Sequence, residues 1–114
     1  MQDVNIFGDE EVRKVFHEGE WWFAVEDVVL SLTTSRNPMD YIVEMLSVDL
    51  ALNKAWSTLT KILDVDDIGM TTKLLCANLE GVFRIIQSIN SPKAEPFKLW
   101  MAKLAKERID ELRI

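Results

Sequence analysis

Cysteine and histidine are nearly missing from this sequence, which contains one of each, Cys76 and His17. A structural zinc site takes about four nitrogen or sulfur ligands, so we expect no transition-metal site. A single thiol cannot form a disulfide within the chain, and Cys76 lies in an apolar run where a buried, unreactive thiol is usual. These features fit a reducing compartment, and we expect a cytoplasmic protein.

Long apolar runs are missing as well. No segment approaches the roughly 20 apolar residues that cross a bilayer, and the acidic N-terminus lacks the basic start of a secretory signal. We therefore expect a protein that is neither membrane-bound nor exported. Its 114 residues, 48% hydrophobic and 28% charged, are typical of one globular domain, and we predict a single domain over residues 1–114.

Positive charge is scarce in the first part of the chain. Residues 1–72 contain 5 basic and 14 acidic side chains, a net charge of −9, whereas residues 73–114 contain 8 and 5, a net charge of +3. Nucleic-acid affinity comes largely from cations that replace counterions at phosphates, so an overall charge of −6 argues against DNA binding by the whole surface. Only a local basic face in the C-terminal third could contact DNA.

Catalytic residues are not recognisable either. Catalysis needs a nucleophile with its base, a metal, or opposed carboxylates in a cleft, and the acids here have no such spacing. The group Asp64, Asp66 and Asp67 lacks the twelve-residue pattern of a calcium loop and its closing glutamate. His17 lies in a predicted turn and is interpreted as a solvated hairpin residue. We predict that the chain is not an enzyme and binds no cofactor.

Short strands are predicted at four places. Alternating apolar residues favour strands at residues 4–7 and 12–16, and an aromatic run favours a third at residues 21–24. The turn around Gly19 joins the second and third strands into a hairpin. Threonines followed by apolar residues predict a fourth strand at residues 71–77. Together these segments predict a small antiparallel sheet.

Helical spacing of apolar residues predicts helices at residues 25–33, 38–47 and 79–89 and a last helix after Pro92. Asn37, Asn78 and Ser91 stand where a helix N-cap is needed. Residues 48–70 are expected to contain some helix or strand, without a clear pattern. The predicted fold class is α+β, with a small antiparallel sheet of short strands packed against about four to five helices.

Three side-chain environments follow from these elements. The last helix aligns Trp100 with other apolar residues in one stripe, which predicts that Trp100 is buried. Arg108 projects toward the same stripe and is predicted to form a structural ion pair. Trp21 and Trp22 are neighbours on a strand, so one of them must face the opposite side of the sheet.

Three segments resemble a known family. Residues 76–89, CANLEGVFRIIQSI, and residues 91–100, SPKAEPFKLW, are similar to the BRO family N-terminal (Bro-N) domain. Residues 21–28, WWFAVEDV, resemble the opening of that family, in which an aromatic strand leads into a helix. The resemblance implies a DNA-associated N-terminal domain of a phage or prophage antirepressor-like protein, which a variable C-terminal domain usually follows.

Two surfaces are candidates for DNA contact. The corner between the first two helices could form a helix-turn-helix with Arg36 and Asn37 near base edges, and an ordinary helical corner is the alternative. The basic side of the C-terminal helices could neutralise phosphates, and a solvated lysine face is the alternative. Its lysines are Lys93, Lys98, Lys103 and Lys106.

Two functions remain open at this point. In the first, the chain is the domain of a phage-derived antirepressor or transcriptional regulator, and its C-terminal basic face contacts DNA. In the second, it is a protein-interaction module whose acidic surface binds a repressor or another basic partner. A homo-oligomer is compatible with both.

Overall fold

The arrangement of the elements comes from a computed structural model, which describes residues 11–113. The strand predicted at residues 4–7 lies outside the described residues. The strands are β1 (Lys14–His17), β2 (Glu20–Ala24), β3 (Thr60–Asp67) and β4 (Met70–Asn78). The helices are α1 (Val25–Leu32), α2 (Pro38–Val48), α3 (Leu50–Leu59), α4 (Leu79–Ser88) and α5 (Glu95–Leu112), with a 3-10 turn, Pro92–Ala94, before α5. The predicted α+β class is confirmed.

Two hairpins build an antiparallel sheet with the strand order β1-β2-β4-β3. Each turn has two residues with positive φ: Glu18 and Gly19 at 51° and 85°, and Ile68 and Gly69 at 50° and 74°. Two positive φ angles suit a type I′ turn, whose twist matches that of the strands it joins. Ile68 is uncommon there, because a β-branched side chain is crowded at positive φ. The first hairpin confirms the prediction, and the second was not predicted.

The main core lies between one face of the sheet and the helices. α1 contributes Val25, Val28, Val29 and Leu32, each at most 2% exposed, at the spacing that the sequence predicted. They meet the buried apolar side chains of the next three helices, which are Ile42, Met45, Leu52, Val82, Ile85 and Ile86. Because each fully buried aliphatic side chain contributes about 1.5–3 kcal/mol, this cluster is a major source of stability.

A smaller cluster lies on the other face of the sheet. Trp22 packs there with Val65 and Cys76, whereas the next residue, Phe23, belongs to the main core, as alternation along a strand requires. The sheet curls so that β1 approaches β3, and Trp22 is only 5% exposed. Trp21 is half-buried against the main core. The prediction that the two tryptophans face opposite sides is therefore confirmed.

Residues 48–70 form α3 and β3, which agrees with the expectation of some helix or strand there. α3 follows α2 after a single intervening residue, Asp49, whose side chain accepts a hydrogen bond from the backbone N–H of Leu52 at 3.0 Å. Leu52 is the only fully buried side chain of α3. A helix with so narrow a buried face gives little periodicity, which explains why its boundaries were not predicted.

Arg13 joins the start of β1 to the start of α1. Its guanidinium donates two hydrogen bonds to the carboxylate of Asp27, from Nε at 2.8 Å and from Nη2 at 2.9 Å, and its backbone N–H donates a third at 2.9 Å. Glu26 and Asp67 lie on the same guanidinium at 2.9 and 3.4 Å. Asp27 is 7% exposed, and its hydrogen bonds raise the pKa of Arg13, so the guanidinium stays charged.

α5 differs from the other helices, because none of its residues is buried. Its first turns contact α4, where the rings of Phe83 and Trp100 meet edge to face at 5.7 Å. Trp100 is 39% exposed, so the prediction that it is buried was wrong: the stripe continues beyond the part of the helix that packs on α4. Arg108 does form an ion pair, with Glu111 at 3.2 Å, but both side chains are more than 60% exposed.

The contacts of Asp27 predict that Asp27→Asn destabilises the fold. The change removes a nearly buried negative charge while Arg13 keeps its positive charge, so we expect a loss of about 2 kcal/mol in the free energy of unfolding. This loss is below the usual range for breaking a buried ion pair, because the side chain of Arg13 is 30% exposed. Urea denaturation measures it. Asp64→Asn, which breaks the exposed pair with Lys73, is the matched control and should cost less than about 0.5 kcal/mol. Equal losses in the two variants would contradict this role of Asp27.

Candidate interaction surfaces

Four lysines lie on the 3-10 turn and α5, and we call them the lysine edge: Lys93, Lys98, Lys103 and Lys106. At about 100° per residue, the three lysines of α5 fall within an arc of about 140°. A rise of about 1.5 Å per residue places Lys98 and Lys106 about 12 Å apart along the helix. The structure therefore gathers all four predicted lysines on two consecutive elements.

The members of the lysine edge differ in how their charges are compensated. Lys106 donates to Asp110 at 2.6 Å, one turn further along α5. No described residue forms an ion pair with Lys93, Lys98 or Lys103. Because an exposed i,i+4 pair contributes only about 0.3–0.5 kcal/mol, a phosphate can displace Asp110 from Lys106 at little cost. The edge can therefore offer up to four cations to an anionic ligand.

The corner between α1 and α2 holds the other two predicted residues, Arg36 and Asn37, and both are exposed. Asn37 caps α2, because its Oδ1 accepts a hydrogen bond from the backbone N–H of Asp40 at 3.2 Å. An asparagine that reads adenine uses both its amide oxygen and its amide nitrogen, so the cap competes with readout. Asp40 and Glu44 are exposed on α2 and make its surface acidic. α1 packs against the 3-10 turn, so the corner and Lys93 belong to neighbouring elements.

The second hairpin carries an acidic surface with an apolar end, which we call the hairpin tip: residues 64–71. Asp64 and Asp66 are exposed, and Asp66 accepts a hydrogen bond from the hydroxyl of Thr71 at 2.7 Å. Ile68 is 96% exposed and Met70 is 69% exposed. The acids are recognisable in the sequence, but the exposed apolar pair was not predicted; its sequence signal is an isoleucine beside a turn glycine.

A polar cluster joins α3 to α4. The hydroxyl of Ser88 donates to Asp49, and Arg84 donates to Ser88 at 2.7 Å. The hydrogen bond from Ser88 lowers the pKa of Asp49 below its ordinary value, and the backbone N–H of Leu52 adds to the effect. The carboxylate of Asp49 accepts two hydrogen bonds, and Arg84 lies 3.8 Å from it, so the cluster positions helices and offers no free base. This cluster was not predicted from the sequence, because Asp49 and Ser88 are 39 residues apart in the chain.

Cysteine and histidine often act as catalytic residues or metal ligands, and Cys76 and His17 lie in different environments. Cys76 is fully buried, and burial raises the pKa of its thiol to about 11, so the thiolate is rare at neutral pH. His17 is half-exposed at the end of β1, 3.6 Å from Glu18. Within residues 11–113, no three His, Cys, Asp or Glu side chains gather as ligands for a metal ion. In the same range, no helix has the length and apolar character to cross a membrane.

Comparison with known proteins identifies the family. The family described as "BRO family, N-terminal domain" matches residues 11–108. The chain belongs to the BRO family. The Bro-N match includes the α1–α2 corner and the whole lysine edge, and it confirms the resemblance seen in the sequence. Membership of the BRO family supports the interpretation of this chain as a phage-related regulatory domain. No curated protein and no solved structure matches the chain.

The cap on α2 predicts how variants of Asn37 behave. Asn37→Ala should lower the free energy of unfolding by about 1 kcal/mol, because the N–H of Asp40 loses its acceptor, whereas Asn37→Asp keeps the cap and the stability. Urea denaturation of both variants measures this. Arg36→Gln is the neighbouring control and should leave stability unchanged. If Asn37→Ala is as stable as the parent, the capping role is wrong.

Proposed function

We propose that this Bro-N domain is a non-catalytic regulatory module of a phage-related antirepressor or transcriptional regulator, and that it contacts DNA through the lysine edge. The observation that carries the proposal is the set of three exposed or half-exposed lysines without an ion pair among the described residues, all at one end of an otherwise acidic chain. A cation that is not already paired gains most from a phosphate, because no existing partner has to be displaced.

The acidic remainder of the domain supports one orientation on DNA. The whole chain has a net charge of −6, and the hairpin tip and α2 carry exposed carboxylates. These groups repel phosphates, so the lysine edge is the side that turns toward a duplex. Residues 102–112 of α5 are exposed on every side, which leaves room for a duplex to approach the helix. Contacts of this kind position a protein on DNA without reading its sequence.

The state of the described reactive groups supports a non-catalytic role. The thiol of Cys76 is buried and protonated, and the carboxylate of Asp49 accepts hydrogen bonds from Ser88 and from the backbone N–H of Leu52. Asp27 is fully engaged by Arg13. A general base or nucleophile needs a free lone pair within reach of a substrate, and these groups do not offer one.

The lysine edge predicts the salt dependence of duplex binding. Each phosphate contact contributes about −0.9 to the slope of log K against log salt, so four lysines predict a slope of about −3.6. Replacing Lys93, Lys98 and Lys103 by Gln should reduce the slope by about 2.7. Fluorescence anisotropy with a labelled duplex at about 50 to 200 mM salt measures both values.

The matched control removes the same number of charges elsewhere. Lys54, Lys61 and Lys73 lie on α3, β3 and β4, and their replacement by Gln changes the net charge equally. The control should keep the parent slope, because these lysines are outside the lysine edge. If both triple variants lose affinity equally, a bulk charge effect explains binding, and if the parent binds no duplex at about 50 mM salt, the DNA contact is refuted.

A second candidate function is binding of a basic protein such as a repressor, and the hairpin tip favours it. Ile68 is almost fully exposed in a conformation that is unfavourable for its side chain, and it lies between exposed acids and Met70. An apolar contact ringed by acidic groups suits a partner with a basic, partly apolar surface. In this case the tip, and not the lysine edge, makes the regulatory contact.

The hairpin tip predicts that Ile68→Gly weakens such binding without harming the fold. Glycine accepts the positive φ at residue 68 more readily than isoleucine, so stability should be kept or raised by up to about 1 kcal/mol. Binding to a purified basic repressor, measured by titration calorimetry, should weaken about tenfold or more if the side chain is in the interface. The control is Val43→Ser, which changes another exposed apolar residue, on α2 and outside the hairpin tip. This variant should bind the repressor like the parent.

A further inference from the structure

A cleft of about 260 Å³ lies between the ends of α2 and α4, and we call it the α2–α4 cleft. Its lining residues are Tyr41, Glu44, Met45 and Val48 of α2, Ser88 of α4, and Asn90 just after α4. A hydrogen bond joins its two walls, because the hydroxyl of Tyr41 accepts from the backbone N–H of Asn90 at 3.2 Å. Pockets for cofactors or drug-sized ligands occupy about 300–1,000 Å³, so this cleft suits the end of one long side chain.

Two helix ends meet at the α2–α4 cleft. Val48 and Ser88 are the last residues of their helices, and both line the cleft. The last carbonyl groups of a helix have no hydrogen-bond partner within it, and the negative end of the helix dipole lies there. The backbone at this site therefore offers hydrogen-bond acceptors and favours a positively charged ligand.

Glu44 adds a negative charge to the cleft. It is exposed, and no described residue forms an ion pair with it. Arg84 donates a hydrogen bond to Ser88, but Asp49 lies 3.8 Å from Arg84 and balances its charge. Lys93, on the 3-10 turn that follows, does not line the cleft. The described residues therefore leave the charge of Glu44 uncompensated.

Apolar side chains complete the walls of the cleft. Met45 is 5% exposed, whereas Val48 is 78% exposed. A long aliphatic stem can pack on these two residues while its charged end stays near Glu44. Arginine fits better than lysine, because its planar guanidinium has five N–H donors and can reach a carboxylate and a carbonyl together. A lysine ammonium is a compact point charge and matches separated acceptors less well.

We propose that the α2–α4 cleft binds an arginine side chain of a partner protein, whose guanidinium donates to the carboxylate of Glu44 and to carbonyls at the ends of α2 and α4. The charge of the cleft is opposite to that of the ligand, and its acceptors match the donors of a guanidinium. The cleft shares no residue with the lysine edge or the hairpin tip. The proposal therefore stands apart from the DNA contact, and it gives a basic partner a binding place besides the tip.

A titration with N-acetylargininamide at constant ionic strength tests the cleft, because this compound presents the side chain as a protein does. Backbone amide signals of the lining residues should shift and saturate in NMR spectra of the 114-residue chain. We expect a dissociation constant of about 1–10 mM, since one side chain makes few contacts. N-acetylcitrullinamide, which has the same shape without the charge, should bind about tenfold more weakly or less.

Two further compounds test the identity of the ligand. N-acetyllysinamide keeps the charge without the planar fork and should bind several-fold more weakly than N-acetylargininamide. Equal binding of the two would overturn the assignment to a guanidinium. Free arginine should bind no more tightly than N-acetylargininamide, and tighter binding of the free amino acid would overturn the assignment to a protein side chain.

Two variants with the same change of charge locate the contact. Glu44→Gln should weaken the binding of N-acetylargininamide about fivefold or more, because the guanidinium loses a charged acceptor. Asp40→Asn is the matched control, since Asp40 is exposed one turn earlier on α2 and does not line the cleft, and it should bind like the parent. Circular dichroism should show both variants folded. Shifts that do not saturate by about 50 mM, or equal weakening in the two variants, would overturn the proposal.

Discussion

The contact between Arg13 and Asp27 is the constraint on which the arrangement of this domain depends. β2 runs into α1 without a loop, so the direction of the helix relative to the sheet has to be held from elsewhere. The side chain of Asp27 accepts two guanidinium hydrogen bonds and the backbone N–H of the same arginine, and the carbonyl of Arg13 accepts from Ala24 at 2.8 Å. One residue thereby fixes the edge strand, the start of α1 and, through Asp67, the end of β3.

The contact between Arg13 and Asp27 holds the first helix in place. The interaction surfaces then consist of the side chains that the core does not bury. Six of the eight residues of α1 are buried, so α1 offers few side chains to a partner, whereas four of the ten residues of α4 are buried. Two segments consist mostly of exposed residues, the end of the second hairpin and residues 102–112 of α5, and they differ in character. The hairpin is acidic with an apolar end, whereas α5 has the lysine edge on one side and the exposed apolar residues Leu104 and Leu112 on the other. A regulator that meets several partners can use such separated surfaces without competition between them.

Local signals in the sequence predicted the elements whose ends are set by their own side chains. Asn37 and Asn78 cap the helices that they were predicted to cap, because a cap needs only residues within one turn. Ser91 caps the 3-10 turn instead of the last helix, and α5 begins after Ala94 without a side-chain cap. α3 and β3 were not delimited, because α3 buries a single side chain fully and β3 is an edge strand with exposed acids. The burial of Trp100 was predicted wrongly, because an apolar stripe on one helix carries no information on how far the helix packed against it, here α4, extends.

The sequence by itself determined the family, the α+β class, the caps and the lysines of the basic face, since each depends on residue types at short spacing. Only the tertiary structure decided which charges are free and which apolar residues stay uncovered. Arg13 and Asp27 are 14 residues apart, and Asp49 and Ser88 are 39 apart, so their pairing depends on chain topology. The exposure of Ile68 and of Leu104 likewise depends on where packing ends, and no local pattern encodes that boundary.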